Sequence, residues 1–255
     1  MLEGAKYIKE LFYDDEFKPI LVEGDHGVGK TSYANRLIAE AYSKDGIKAN
    51  WSFKDKKDRG YIREYSIFPY HIGFHPKHVL DLWINKIGSI KYRDHVFHWD
   101  DAGLWLHSLD FQDPFVKEVG KYMQVVRSDW SAVIFTAISR EDISSKIRGL
   151  RNAIIVEITK DGKSHKQPNV RTAYAYILRT GWKGRPYKDK LWEERFDSHV
   201  PGEYILDKKG KVLKNEGFYG WYKPLRDKYS EMAKERMKRK LDQHPDFGKD
   251  KDVKF

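Results

Sequence analysis

The chain has 255 residues, 40% of them hydrophobic and 15% aromatic, which suffices for the core of one α/β domain with a smaller extension. It has no cysteine, which excludes disulfides and thiolate metal sites and fits an intracellular protein. Its 48 Lys and Arg residues exceed its 38 Asp and Glu residues, and the net charge of +10 suits a polyanionic partner, although such an excess also serves solubility. No apolar run approaches a membrane span and residues 1–4 do not begin a signal peptide, so we expect a cytoplasmic protein without a membrane partner.

The first predicted elements surround a glycine-rich loop. Apolar residues at helical spacing predict a helix over residues 2–12, and residues 19–23 predict a buried strand. Residues 24–31 then place a glycine, four residues and Gly-Lys-Thr in the order of the Walker A pattern. An amphipathic helix is predicted over residues 32–42. The loop therefore lies between a strand and a helix, which is the context of a phosphate-binding loop.

The loop has the chemistry needed to bind a nucleotide. Gly24, Gly27 and Gly29 permit positive φ angles and a close approach of the backbone, so that amide N–H groups can surround a phosphate. The positive end of the following helix adds its unpaired N–H groups. We expect Lys30 to reach the β- and γ-phosphates and the Thr31 hydroxyl to bind Mg²⁺. The expected nucleotide-binding residues are Gly24, Asp25, His26, Gly27, Val28, Gly29, Lys30, Thr31 and Ser32.

Several segments connect this loop to a second motif. Strands are predicted over residues 47–53 and 61–68, and a helix over residues 76–87 begins with Pro76 in its first turn. The charged residues 54–60 are predicted to form a solvated connection, with a DNA-contacting loop as the alternative.

The second motif is a short apolar strand that ends in two acids. Residues 95–99 predict the strand, and Asp100 and Asp101 follow it directly. Downstream of a Walker A loop this pattern is typical of a Walker B element, in which we expect Asp100 to hold Mg²⁺ directly or through water. His98 interrupts the apolar run, and we interpret it as a packed core histidine rather than as a ligand.

The second half of the chain is predicted to add strands and a basic helix. A helix over residues 114–127 is followed by an apolar strand over residues 131–137 and a short helix over residues 140–150. Strands over residues 152–158 and 170–180 are predicted to form a hairpin or to extend the sheet at its edge. The remaining segments are a loop over residues 181–188 that contains Lys183, Arg185 and Lys188, a helix over residues 224–241 that carries Arg226, Lys228, Lys234, Arg236, Lys238, Arg239 and Lys240, and a polar tail over residues 243–255.

The C-terminal cations and aromatic residues are candidates for contacts with nucleic acid. Aromatic rings stack on bases while cations bind phosphates, so we expect non-specific DNA binding through this region. An ordinary exposed loop and a basic helix that serves solubility are the alternatives.

The order of the elements predicts the fold. Alternating strands and helices favour a three-layer α/β sandwich of the P-loop NTPase type with a mostly parallel sheet and the nucleotide at the carboxyl ends of its strands. We expect a P-loop core over residues 1–160 and an extension over residues 161–255 that contains a strand, basic loops and the basic helix.

The motifs follow an order that resembles the AAA+ branch of P-loop ATPases. The set consists of residues 24–31, Asp100, Asp101, Thr136, Arg148 and Arg151. More narrowly, the loop together with Asp-Asp-Ala-Gly at residues 100–103 looks like ATPases encoded by archaeal viruses and plasmids, and it is similar to DnaA-like and DnaC-like replication ATPases. The resemblance covers residues 1–160.

The resemblance implies a role for each remaining member of the set. Asp101 takes the position of the acid that polarises the attacking water, and Thr136 (or Ser139) that of sensor 1, which senses the γ-phosphate. Arg148 or Arg151 lies where such ATPases place an arginine finger that completes the site of a neighbouring subunit. The alternative is that both are helix C-terminal cations. ATP, Mg²⁺, a homo-oligomer and, for a viral protein, the interior of the host cell are implied as well.

The expected function is Mg²⁺-dependent ATP hydrolysis coupled to DNA binding or remodelling in the replication of a viral or plasmid genome. A DNA-packaging or translocating motor is the alternative with the same chemistry. A small-molecule kinase also has a Walker A loop, but the paired acids Asp100 and Asp101 favour water activation. Intact Lys30 and both acids argue against a non-catalytic nucleotide-binding adaptor.

Overall fold

The computed structural model describes residues 1–43, 51, 55–58, 61–64, 67–89, 93–110, 112–150, 152–160, 168–181 and 185–242. Their helices are α1 (Glu3–Tyr13), α2 (Lys30–Ala41), α3 (Phe68–His71), α4 (Pro76–Ser89), α5 (Ala102–Trp105), α6 (Pro114–Tyr122), α7 (Ser145–Arg148) and α8 (Gly217–Asp242). Their strands are β1 (Lys18–Glu23), β2 (Asp55–Asp58), β3 (Tyr61–Glu64), β4 (Ile72–Gly73), β5 (Asp94–Trp99), β6 (Trp130–Thr136), β7 (Ile154–Lys160), β8 (Val170–Thr180), β9 (Pro186–Asp197), β10 (Glu203–Leu206) and β11 (Val212–Glu216).

The chain forms two compact units, Met1–Val200 and Pro201–Phe255. The first contains α1 to α7 and β1 to β9, and the second contains β10, β11 and α8. We expected a core of residues 1–160. In the structure β8 and β9 lie in the first unit as well, because they pair with the sheet of that unit.

A seven-stranded sheet organises the first unit, with the strand order β4-β5-β6-β1-β7-β8-β9. The neighbours from β4 to β7 are parallel, whereas β8 and β9 add to the edge in antiparallel pairs. Strand β6 lies between β1 and β5 in the sheet. The glycine loop follows β1, and the two acids follow β5. The carboxyl ends of these three strands meet at one edge, where open α/β sheets bind their ligands.

Helices cover the central strands. All seven residues of β6 are buried, as expected for a strand that is covered on both faces. Helix α1 buries Ala5, Ile8 and Leu11 at helical spacing, and α2 buries Leu37 and Ile38. The two helices contact each other and also β5 and β6. Helix α5 contacts β6, and α7 contacts β1. The fold is therefore the expected α/β sandwich with a mostly parallel sheet.

Most predicted elements of the first unit are confirmed. The predicted helices before β1 and after the loop are α1 and α2, and those over residues 76–87 and 114–127 are α4 and α6. The strands predicted around the two motifs are β1, β5 and β6, and the predicted edge extension is the pair of β7 and β8.

Three predictions of local structure are wrong. Residues 140–150 form a 3₁₀ turn and then α7 instead of one helix, because Ser139 and Ser144 each precede a separate helical turn. The expected connection over residues 54–60 contains β2, which pairs with β3. The last three residues of the expected loop over residues 181–188 belong to β9, a strand of 12 residues that begins at Pro186. The predicted strand over residues 47–53, apart from Trp51, and the tail after residue 242 lie outside the described residues.

The second unit consists of a hairpin and a long helix. Strands β10 and β11 are antiparallel, and α8 contacts both. The buried residues of α8 are Phe218, Gly220 and Tyr222, all in its first two turns. From Lys223 to its end the helix is exposed or half-buried. Over the residues that the structure describes, no helix combines the length and the apolar character needed to cross a membrane.

Candidate nucleotide site

The loop between β1 and α2 is curved by three glycines with positive φ. The angle is 144° at Gly24, 70° at Gly27 and 103° at Gly29, the residue that precedes α2. A Cβ atom on Gly24 would lie 2.6 Å from the carbonyl oxygen of Ile158, so a larger residue does not fit there. Loops of this curvature, followed by a helix, direct backbone N–H groups towards an anion.

The ammonium group of Lys30 lies at the glycine loop. Its Nζ atom donates to the carbonyl oxygens of Gly24 and Asp25 at 2.7 and 2.9 Å. The ammonium group therefore lies against the backbone that is expected to surround a phosphate. Among the other expected nucleotide-binding residues, Asp25, His26 and Gly27 are exposed, Gly24, Gly29, Thr31 and Ser32 are half-buried and Val28 is buried.

The carboxylate of Asp100 joins the two motifs. Asp100 is fully buried, and its Oδ1 atom accepts hydrogen bonds from Thr31 Oγ1 at 2.8 Å and from Thr136 Oγ1 at 2.9 Å. Thr31 comes from α2, Thr136 ends β6, and Asp100 follows β5. The structure thus brings together three residues that the sequence placed in separate motifs.

Asp101 differs from its neighbour in exposure and in backbone conformation. It is exposed, and its φ of 51° and ψ of 37° lie in the left-handed region. This conformation costs a residue with a Cβ atom about 1 kcal/mol, and it is found preferentially at functional sites. The Asp101 N–H group donates to Thr136 Oγ1 at 2.8 Å, which fixes the turn that carries the acid.

The two candidates for phosphate sensing have partners within the chain. The Thr136 hydroxyl, which is fully buried, gives its single proton to Asp100 and accepts from Asp101. In this arrangement it links the two acids. Ser139 accepts from the Glu141 N–H group at 3.2 Å and begins the 3₁₀ turn. The segment that carries both lies against the glycine loop, because the Gly24 N–H group donates to the carbonyl oxygen of Ile138 at 3.0 Å.

Arg148 ends α7 and forms an ion pair with Glu141. Its side chain is 28% exposed and lines a cavity of about 490 Å³ together with Leu178 and Arg179 of β8. The Arg148 guanidinium is therefore a surface cation that lies beside a second cation, Arg179. Arg151, the other candidate finger, lies outside the described residues.

The ends of β8 and β9 pack against the glycine loop, which sequence reasoning missed. A Cβ atom on Gly29 would meet Ser198 at 3.1 Å, Arg171 at 3.5 Å and Phe196 at 3.7 Å. Arg36 of α2 also donates to the carbonyl oxygens of Asp197, the last residue of β9, and of His199. These residues follow the loop by more than a hundred positions in sequence, so only the pairing of β8 with β9 brings them there.

His98 lies beside Asp100 in the core. The ring is fully buried, and burial lowers its pKa to about 4, an effect that the nearby Asp100 carboxylate opposes. The imidazole is therefore neutral at pH 7. Complete burial agrees with its interpretation as a packed core histidine.

The oxygen atoms around Asp100 suit Mg²⁺. A carboxylate and a hydroxyl are hard oxygen ligands of the kind that this ion prefers. Among the described residues no group of three or more His, Asp or Glu side chains could hold a metal alone. Mg²⁺ in nucleotide sites takes only one or two ligands from the protein and the rest from phosphates and water. Thr31 and Asp100 therefore fit an ion that arrives with a nucleotide.

Strand order and loop geometry together define an α/β fold of the P-loop NTPase type. No protein-family model matches the chain. A curated relative, the uncharacterized protein B-251 of Sulfolobus spindle-shape virus 1, is 29% identical over 149 residues, which cover 58% of this chain and 53% of the relative. The chain thus spans about half the length of the curated relative that it matches.

Two solved structures are similar at low sequence identity. The N-terminal domain of zonular occludens toxin from Neisseria meningitidis is 14% identical, with a TM-score of 0.40 over 70% of this chain and 95% of that domain. A KaiC-like protein from Pyrococcus horikoshii is 12% identical, with a TM-score of 0.37 over 78% of this chain and 90% of that protein. Because both TM-scores are below 0.5, the description of the fold rests on the strand order of this chain.

Proposed function

We propose that the chain is a Mg²⁺-dependent ATPase whose activity is coupled to DNA. The observation that carries the proposal is that Thr31 of the glycine loop and Thr136 of β6 both donate to the buried Asp100 carboxylate. This junction holds a phosphate-binding loop and oxygen ligands for Mg²⁺ next to the exposed Asp101. Hydrolysis of a phosphoanhydride requires these three parts.

In the proposed reaction a water oxygen bonds to the γ-phosphorus while the bond to the β–γ bridging oxygen breaks, which gives ADP and inorganic phosphate. Mg²⁺ on Thr31 and Asp100 would neutralise charge on the phosphate oxygens. Lys30 binds the β- and γ-oxygens and stabilises the negative charge of the transition state. Asp101 orients the attacking water and accepts its proton.

The coupling to DNA is supported by the charge of α8. Residues 223–242 carry eight Lys or Arg and four Asp or Glu, a net charge of +4, and they are exposed or half-buried. A helix of this charge attracts the phosphates of DNA and releases their counterions on binding. The similarity to a viral protein supports a role inside a host cell. We extend this role to the replication of a viral genome, in the manner of DnaA-like or DnaC-like AAA+ ATPases.

Phosphate release from Mg·ATP, measured with and without DNA, tests the proposal. We expect release by the wild type, faster release with DNA, and loss of release in Lys30→Ala, which removes the cation facing the phosphates. Lys121→Ala is the matched control, because Lys121 is an exposed lysine on α6 that pairs with Glu118. Equal release by the wild type and Lys30→Ala would contradict ATP hydrolysis at this site, and release unaffected by DNA would contradict the coupling.

A further inference from the structure

Asn35, His98 and Asp100 form a chain of polar side chains in the core. They are 1%, 0% and 0% exposed, and they lie between α2 and β5 among apolar neighbours. Burial of polar groups costs free energy unless each is hydrogen-bonded, and a satisfied network fixes the positions of its members. The other residues of β5 that are fully buried, Val96, Phe97 and Trp99, are apolar or aromatic, so His98 is the polar exception among them.

The chain connects the helix that follows the glycine loop to the Asp100 carboxylate. Asn35 Oδ1 lies 2.9 Å from His98 Nδ1, and His98 Nε2 lies 3.5 Å from Asp100 Oδ1. Thr31, one helical turn before Asn35, reaches the same oxygen directly. Helix α2 is therefore linked to Asp100 in two ways. The Thr31 hydroxyl contacts the carboxylate directly, and Asn35 contacts the His98 ring, which lies next to the carboxylate.

The tautomer of His98 decides what this arrangement does. A neutral imidazole carries one N–H group. With the proton on Nδ1, the ring donates to Asn35, and the Nε2 lone pair faces a carboxylate oxygen, so that two acceptors oppose each other in the core. Among the described residues His98 Nε2 has no hydrogen-bond partner, and its separation of 3.5 Å from Asp100 Oδ1 is at the upper limit for a hydrogen bond.

With the proton on Nε2, both ring nitrogens face a group of complementary hydrogen-bonding character. The ring then points its N–H group at Asp100, and the Asn35 amide, rotated by 180° about its last bond, donates N–H to Nδ1. This rotation exchanges the amide oxygen and nitrogen and leaves the packing unchanged.

We propose that His98 is a positioning residue for Asp100, with its Nε2–H group directed at the carboxylate and its tautomer fixed by Asn35. A donor at the carboxylate favours the ionised form and orients it, as outer hydrogen bonds do for metal ligands in general. The inference rests on the proposed function, because it gives Asp100 its orientation for Mg²⁺ bound with a nucleotide.

The tautomer can be measured without any nucleotide. In protein labelled with ¹⁵N at histidine, we expect the His98 ring, assigned by the loss of its signals in His98→Gln, to be the neutral Nε2–H tautomer. In Asn35→Leu the preference for this tautomer should be lost. A His98 ring with its proton on Nδ1 in the wild type would overturn the proposal.

The effect on Asp100 can be measured by titrating Mg²⁺ into protein with a fluorescent ATP analogue. We expect His98→Leu to raise the Mg²⁺ concentration for half-maximal binding by about tenfold or more, as changes to outer hydrogen bonds do. His98→Gln should restore part of the affinity, because its amide nitrogen reaches the region of Nε2. Binding of the nucleotide alone in EDTA should not change.

His71→Leu is the matched control. His71 is also a buried histidine, 3.6 Å from Asp94, which begins the strand that Asp100 follows. Its loss should lower stability and leave the Mg²⁺ titration unchanged. An unchanged titration in His98→Leu, or an equal change in His71→Leu, would overturn the positioning role. A wild type that binds no nucleotide would contradict the proposed function instead, and the ¹⁵N measurement would still decide the hydrogen bond.

Discussion

At the scale of single residues, the two adjacent acids occupy opposite environments. Asp100 is fully buried and accepts two hydroxyl hydrogen bonds, whereas Asp101 is exposed on a left-handed backbone turn. The buried carboxylate is held in one orientation, and the exposed one can contact water. This difference supports a division of roles, with Asp100 for Mg²⁺ and Asp101 for the attacking water.

Asp101→Asn tests this division. The amide keeps the size of the side chain but cannot accept a proton, so turnover of ATP should fall by about a hundredfold or more. The dissociation constant for Mg·ATP, measured by calorimetry, should stay within about twofold, because water orientation matters to chemistry and not to binding. Hydrolysis at the wild-type rate would show that Asp101 is not the acid that positions water.

Two histidines of β5 predict how stability depends on pH. Burial lowers the pKa of His95 and of His98 to about 4, below the usual value of 6.5. Between these values the unfolded chain binds more protons than the folded one, so stability is present above pH 6.5 and is lost as the pH falls towards 4. His98 alone should contribute a loss of about 2 kcal/mol between pH 7.5 and pH 5.

Urea unfolding at pH 7.5 and pH 5 measures this loss. Replacement of both histidines by Gln should flatten the dependence over this range, because neither position then gains a proton on unfolding. Equal stability of the wild type at the two pH values would contradict the prediction.

At the scale of secondary-structure elements, α8 consists of two parts that differ in burial. Its first turns bury Phe218 and Tyr222 against the hairpin of β10 and β11, and the rest has no buried residue. Truncation after Leu225 therefore keeps the packed part and removes most of the cations. This makes the predicted DNA contacts separable from the folding of the second unit.

Charge removal on α8 should weaken DNA binding in a salt-dependent way. Replacement of Lys238, Arg239 and Lys240 by Gln should reduce the slope of log affinity against log salt by up to about 0.9 per lost phosphate contact. The matched control replaces the three lysines of the turn between β10 and β11, namely Lys208, Lys209 and Lys211. Equal slopes for both variants would assign the change to net charge, and an unchanged slope after truncation at Leu225 would move the DNA surface elsewhere.

The edge of the sheet shows where local patterns failed to predict an element. β9 pairs with β8 along its length, but its exposed face is rich in charge, so the segment has the composition of a loop. The alternation of Trp192, Glu194 and Phe196 was the available signal. Trp192 and Glu194 face α1 and α2, where the Tyr33 hydroxyl donates to Glu194 at 2.7 Å and Trp192 Nε1 donates to that hydroxyl at 3.0 Å. This contact between distant segments gives the strand a buried face that no local window contains.

At the scale of the whole molecule, the position of Arg148 bears on whether a neighbouring chain completes the site. Arg148 pairs with Glu141 in the same chain, and its side chain remains partly exposed beside Arg179. A guanidinium at the surface can reach a neighbouring molecule, where it would stabilise the charge of a transferring phosphoryl group. The predicted homo-oligomer would supply that neighbour.

Mixing experiments test a shared site. If Arg148 acts on the neighbouring subunit, specific activity should rise with protein concentration, and Arg148→Ala should bind ATP normally but hydrolyse it slowly. Mixing Arg148→Ala with Asp101→Asn should restore part of the activity, because some interfaces then combine an intact arginine with an intact acid. Activity independent of concentration, with no rescue on mixing, would leave Arg148 as a partner of Glu141 only.

The sequence by itself determined the glycine loop, the strand that ends in two acids, and β6, the strand that lies between β1 and β5 in the sheet. Each depends on local rules: glycine where φ is positive, apolar runs for buried parallel strands, and acids at strand ends. The order of these elements was also sufficient to predict a mostly parallel α/β sheet.

The tertiary structure alone decided which distant side chains meet at the site. Thr31 and Thr136 meet Asp100 because β6 lies between β1 and β5. Arg171 and Ser198 lie near Gly29 because the pairing of β8 with β9 brings them to the loop. Local sequence encodes backbone preference and burial, since both depend on neighbours a few positions away. Contacts between residues 36 and 69 positions apart, as at Asp100, depend on strand order and register, which are set by the packing of the whole sheet.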